Sequence, residues 1–125
     1  MPQLLLVMFG GAVGAGLRYQ LGRMLLRLFG PGFPWGTLAV NLLGGLLMGI
    51  LAGVLFGEGV RDRPLWLLLG VGLLGGFTTF SAFSFDLFAM IERGAFGTAA
   101  GYALLSVLAS LLLLYAGFWL TRSLL

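Results

Sequence analysis

The spacing of its charges constrains this chain more than any other feature. Seven arginines and four carboxylates leave uncharged windows of 16 residues (2–17), 30 (28–57), 22 (64–85) and 28 (94–121). A helix needs about 20 predominantly apolar residues to cross a bilayer, so the last three windows suffice unaided. The first suffices if its helix continues past Arg18 toward Phe29, with the terminal arginines snorkelling outward. The spacing therefore predicts an all-α membrane protein with four transmembrane helices, at about 3–28, 35–57, 64–92 and 96–122, in one integral membrane domain over residues 1–125. Gly30-Pro31-Gly32-Phe33-Pro34 separates the first two helices, and the stretch from Gly57 to Pro64, with Glu58 and Asp62, makes a charged second loop. Glu92-Arg93-Gly94 closes the third helix.

Composition removes other possibilities. With 60% hydrophobic and 9% charged residues, a chain of 125 is too apolar for a soluble monomer, because a small domain leaves much of its area in water. There is no His, Cys or Lys. A thiolate or Schiff-base nucleophile, an imidazole base, a disulfide and the usual zinc ligands are all missing, and no nucleophile–base pair for an enzyme can be drawn. The net charge of +3 is dispersed arginine, which does not suit a nucleic-acid partner. The first window has no basic residue ahead of it and no clear small-residue cleavage site, so it is expected to be a retained helix rather than a signal peptide.

Orientation is nearly undetermined. Four spans put Arg61, Arg63 and Arg122 on one side and Arg18, Arg23, Arg27 and Arg93 on the other. Three against four gives the positive-inside rule almost no bias to act on. Insertion in both orientations, and hence an antiparallel homodimer, is one reading; a weakly biased protein with a single orientation is the other. The glycines are patterned too. Gly45, Gly49, Gly53 and Gly57 recur every fourth residue, and Gly10/Gly14, Gly72/Gly76 and Gly97/Gly101 repeat that spacing. Such faces let helices approach closely in lipid and imply a tight bundle or dimer without any chemistry.

Polar groups inside hydrocarbon are costly unless partnered, so their positions are informative. Thr37 and Asn41 lie one turn apart on the second helix. Thr98, Tyr102, Ser106 and Ser110 follow at intervals of four on the last, as a polar seam or pore lining. Ser and Thr in such helices often bond their own backbone, which weakens the inference for any single one. The third window holds Gly75-Gly76-Phe77-Thr78-Thr79-Phe80-Ser81-Ala82-Phe83, a poor continuous helix. Interrupted backbone is tolerated in a membrane only where protein or a cavity covers it, and its freed carbonyls suit a cation. Phe80 and Phe83, three residues apart, share a face of the half-helix that follows. Their positive ring edges could receive a small anion, although phenylalanine alone more commonly packs or faces lipid. Asp86 and Glu92 fall later in the third helix, and no carboxylate lies mid-span in the first two.

Three motifs, GGAVGAGLRY (10–19), GTLAVNLLGGLLMG (36–49) and GLLGGFTTFSAFSFD (72–86), with the weaker register Tyr102, Ser106, Ser110, closely resemble the Fluc (CrcB-type) fluoride channel family over essentially the whole chain. The resemblance implies a fluoride-selective passive channel in the prokaryotic plasma (inner) membrane. It exports fluoride from the cytoplasm and so lowers its toxicity. Two antiparallel, dual-topology subunits would form a homodimer with two pathways. By this likeness Asn41 would contact fluoride, and Phe80 and Phe83 would present ring edges from the partner's side. Thr79, Ser81, Tyr102, Ser106 and Ser110 would extend the polar track, and Arg18 would draw anions into a vestibule. The backbone carbonyls of Gly75 and Thr78 would hold a structural sodium ion at the dimer centre. Two positions depart from the family's pattern: Ala82 stands where threonine is common, and Asp86 where glutamate is frequent. The main alternative is a proton-coupled small multidrug exporter, which would require a membrane-embedded carboxylate for proton exchange. A third is a non-transporting subunit held together by its glycine faces.

Overall fold

The computed structural model describes residues 2–57 and 59–125; the expected role of Glu58 in the second loop lies outside the described residues. Helix α1 runs Pro2–Phe29 and α2 runs Trp35–Val54. After a single 3-10 turn at Val60–Asp62, the third span covers Trp66–Glu92. It is wound as a π-helix over Trp66–Leu74, as one α-turn, α3, over Gly75–Phe77, and as α4 over Ser81–Glu92. Helix α5 closes the chain at Phe96–Leu124. All four spans are long and apolar enough to cross a membrane.

The ends follow from local chemistry. Proline starts α1, where its missing N–H removes no helical bond. Gly30 takes a left-handed φ of 75° after Phe29, and its N–H reaches back to Leu26 O at 2.8 Å. Gly94, with φ 77°, ends α4 in the same manner. The second span stops at Val54, three residues short of the expected 57: Leu55 leaves the helix at ψ 10°, and Gly57 takes φ 141°, outside helical space. Between α3 and α4, Thr78 is extended at φ −84°, ψ 161°.

Helix α2 packs chiefly on α5, and α1 on the π-helical segment. Both contacts are backbone to backbone, made possible by glycine. A methyl group at Gly49 would collide with Leu114 O, and one at Gly45 would come within 2.8 Å of Ser110 O. Across the other contact, a Cβ at Gly14 would strike Leu73 O, and where α1 continues onto α3, one at Gly76 would strike Gly11 O. Gly97 and Gly101 have nothing within 4 Å, so within one protomer their ladder has no partner, and Gly57 lies beyond its helix. Gly49→Ala is accordingly expected to cost at least about 1–3 kcal/mol of overpacking and to lower the thermal midpoint in detergent, whereas Gly97→Ala leaves it within error. Near the end of α2 that follows the Gly30–Pro34 turn, Leu38, Phe83, Met90, Ala99 and Tyr102 form the buried cluster. Most other apolar side chains face outward.

Candidate functional site

The gap between α3 and α4 is held by one side chain. Asn41, on α2, donates from Nδ2 to Thr79 O at 3.0 Å and accepts the Thr79 N–H on Oδ1 at 2.8 Å. Its amide therefore replaces both ladder bonds that a helix would have given Thr79, and an extended Thr78 leaves no backbone group of Thr79 unpaired. Thr79 Oγ1 in turn accepts the Ala82 N–H at 3.1 Å, satisfying a donor in the first turn of α4. Ser81 Oγ lies 3.4 Å from the same oxygen. Gly44, one turn after Asn41, is where a side chain would collide with the Thr78 methyl group.

Beside this gap opens a cleft of about 350 Å³, lined by Asn41, Thr78, Thr79, Phe80, Phe83, Ser106 and Ser110 together with Gly44, Gly45, Met48, Val107 and Leu114. Six of the eight pore residues expected from the sequence thus share one cavity. Its polar atoms are uncharged. Ser110 Oγ donates to Asn41 O at 3.4 Å. Ser106 is only 6% exposed, and its Oγ has no hydrogen-bond partner among the described residues. An unpaired buried hydroxyl is costly, so a ligand or water that meets it recovers a bond. The two phenylalanines differ sharply: Phe83 is 6% exposed and Phe80 is 77% exposed, with ring centroids 5.7 Å apart.

The remaining expected residues lie just outside. Ser81 sits at the exposed edge, bonded to Thr79. Tyr102 stands behind Phe83 at 5.1 Å and donates its hydroxyl to Asp86 Oδ2 at 2.9 Å, so its proton points away from the cleft. Thr98, the first residue of the polar seam, is exposed and touches none of this. Arg18 donates from Nε to Gly76 O at 3.0 Å and lines a second cleft of about 260 Å³ with Tyr19, Arg23, Thr37, Thr79 and Ala82. Thr79 lines both clefts. Sequence reasoning did not single out Phe33, whose ring stands edge-on to Tyr102 at 5.3 Å. It lies among turn residues, where spacing carries no signal.

The backbone around the gap has unused acceptors. Leu74 O accepts from Thr78, Gly76 O from Arg18 and Thr79 O from Asn41. Among the described residues, no donor bonds to Gly75 O or Thr78 O. Two such oxygens are hard donors of the kind that suit a small hard cation, and Gly75 is exposed on the protomer surface. The described residues include no cluster of acidic, His or Cys side chains that could hold a metal instead.

A family model described as CrcB-like protein, Camphor Resistance (CrcB), matches residues 5–118. A protein from Phenylobacterium zucineum (strain HLK1), named fluoride-specific ion channel FluC, is 55% identical over 123 residues, covering 98% of this chain and 97% of its own length. Proteins of the same name from Mesorhizobium japonicum and from Chelativorans sp. (strain BNC1) are 47% and 49% identical; the first covers 99% of each chain, the second 100%. Ser106→Ala separates structure from function at this site. It removes an unbonded hydroxyl, so the thermal midpoint is expected to hold or rise, while occupancy of the cleft by a ligand that accepts from that hydroxyl falls severalfold.

Proposed function

Because the chain belongs to the CrcB-like protein family, we propose that it is a fluoride-selective passive ion channel that exports fluoride from the cytoplasm. The observation that carries this reading is the donor set of the Asn41 cleft: the second N–H of the Asn41 amide, the unpaired Ser106 hydroxyl and the edges of two phenyl rings, with no charged side chain in the lining. Fluoride holds its water tightly. A pathway must replace that shell with short-range donors, yet bind weakly enough for exit. A fixed positive charge in the cleft would hold the ion, whereas amide, hydroxyl and ring edges offer several partial charges. Arg18, in the neighbouring cleft, supplies the attraction outside it. An inside-negative potential drives an anion outward by about 2.3 kcal/mol per 100 mV, so neither ATP nor a proton gradient is required.

The working unit in this reading is an antiparallel, dual-topology homodimer in the prokaryotic plasma membrane. The near-equal arginine counts support insertion both ways. Phe80 stands 77% exposed at the cleft of one protomer, where a second copy would cover it and bring its ring to the partner's pathway. The exposed Gly75 and the unbonded Gly75 and Thr78 carbonyls would then hold a structural sodium ion shared between subunits. When bound, that ion ties the two interrupted spans together by electrostatic attraction to their backbone oxygens.

Purified protein in liposomes is expected to pass fluoride under an imposed potential and almost no chloride, measured with ion-selective electrodes. Equal rates for the two ions would refute selectivity. Efflux that appears only under an imposed pH gradient, and carries an organic cation, would instead identify an exporter.

A further inference from the structure

The polar stripe of α5 continues past the Asn41 cleft. Ser110 and Ser106 line that cleft, and Tyr102 lies one turn nearer the start of α5. Its ring is 1% exposed, held between Phe83 and Phe33. Its hydroxyl meets Asp86, and Asp86, Phe33 and Thr37 line a further cavity of about 220 Å³ beside the turn at 30–34, with Trp35 also in its wall. Five rings therefore run in sequence from the gap to this cavity. From Phe80 through Phe83, Tyr102 and Phe33 to Trp35, the centroids are 5.7, 5.1, 5.3 and 4.7 Å apart.

Resting on the channel reading, the geometry points to this cavity as the place where the anion track opens to water, with Phe33 as its outermost pathway ring. A phenyl ring carries its positive charge at the edge, so a lining ring can meet a partly dehydrated anion without holding it as a cation would. The Asp86 carboxylate opposes an anion, but two features offset it. One of its oxygens accepts the Tyr102 hydroxyl. The cavity also shares Gly22, Leu26, Gly36 and Thr37 with the cleft that Arg18 and Arg23 line, so two cationic side chains stand in the adjoining wall. Packing alone would explain a large apolar residue at position 33. It would not explain a cavity set between Asp86, the partner of the Tyr102 hydroxyl, and the turn at 30–34.

The chain has no cysteine, so Phe33→Cys and Trp35→Cys each give a single thiol in this cavity and not in the Arg18 cleft. Fluoride efflux from proteoliposomes is measured before and after complete labelling with a bulky, neutral thiol reagent supplied on both sides. Labelling at 33 or 35 is expected to lower efflux at least tenfold, while labelling Ser123→Cys, at the exposed far end of α5, leaves it unchanged. Each variant serves as its own reference, and Trp35, already 44% exposed, decides the matter if Phe33→Cys does not fold. Complete labelling at 35 with unaltered efflux overturns the proposal, including where labelling Tyr19→Cys in the Arg18 cleft stops the flux. Absence of fluoride efflux from the unlabelled native chain overturns the channel reading itself, and is seen before any reagent is added.

Discussion

Phe83→Ile is expected to lower fluoride efflux from proteoliposomes by tenfold or more while the protein remains folded and assembled. Isoleucine is apolar and branched, so a site only 6% exposed stays filled by hydrocarbon. The lost quantity is the ring: its contact with Tyr102 at 5.1 Å, worth about 0.5–1.5 kcal/mol, and the edge it offers to an ion in the cleft. A tenfold loss of rate corresponds to about 1.4 kcal/mol at the barrier, within reach of one such contact. Phe80→Ile sharpens the test. Phe80 is 77% exposed in the protomer, so its replacement costs the isolated fold little, and a comparable loss of flux would come from the pathway. Phe88→Ile, at another outward-facing ring on α4, supplies the control and should pass fluoride normally. Native flux in both the Phe80 and Phe83 variants would remove these rings from the mechanism.

The spans were readable from charge spacing because the bilayer imposes a length that no tertiary contact can override. Their internal winding was not. Gly75-Gly76-Phe77-Thr78-Thr79 signals weak helix, but no local feature marks the π-helical turns over Trp66–Leu74, whose backbone lies against α1 at Gly10 and Gly14. The glycine ladders illustrate the same limit. A four-residue period specifies a face and not what covers it, so Gly49 meets Leu114 while Gly97, at identical spacing, meets nothing within the protomer. The cleft residues were legible as polar groups placed too deep in apolar helices. Their bonds were not, since Asn41 finds Thr79 across 38 positions and Arg18 finds Gly76 across 58. Tyr102 shows the consequence. Its place in the stripe was evident, but only the fold reveals that its proton goes to Asp86.

Asn41→Asp is expected to abolish fluoride flux, to below about one hundredth of the native rate, and to destabilise the protein as well. The exchange is nearly isosteric, so any effect is electrostatic. The carboxylate still accepts the Thr79 N–H but has no proton for Thr79 O, which is left as an acceptor facing an acceptor. An unsatisfied buried group of this kind costs about 1–3 kcal/mol, more when charged. The same oxygens put negative charge beside the cleft through which an anion must pass, and a factor of one hundred in rate needs only about 2.7 kcal/mol of added barrier. Asn41→Leu separates the two contributions. It removes both bonds to Thr79 without adding charge, so its thermal midpoint should fall at least as far as that of Asn41→Asp, while repulsion of the ion is absent. If the amide only pins the gap, the leucine variant is the poorer channel. A poorer aspartate variant means that the ion itself meets position 41. Native fluoride flux through Asn41→Asp would show that no anion passes this side chain, and the donor set that supports the channel reading would lose its central member.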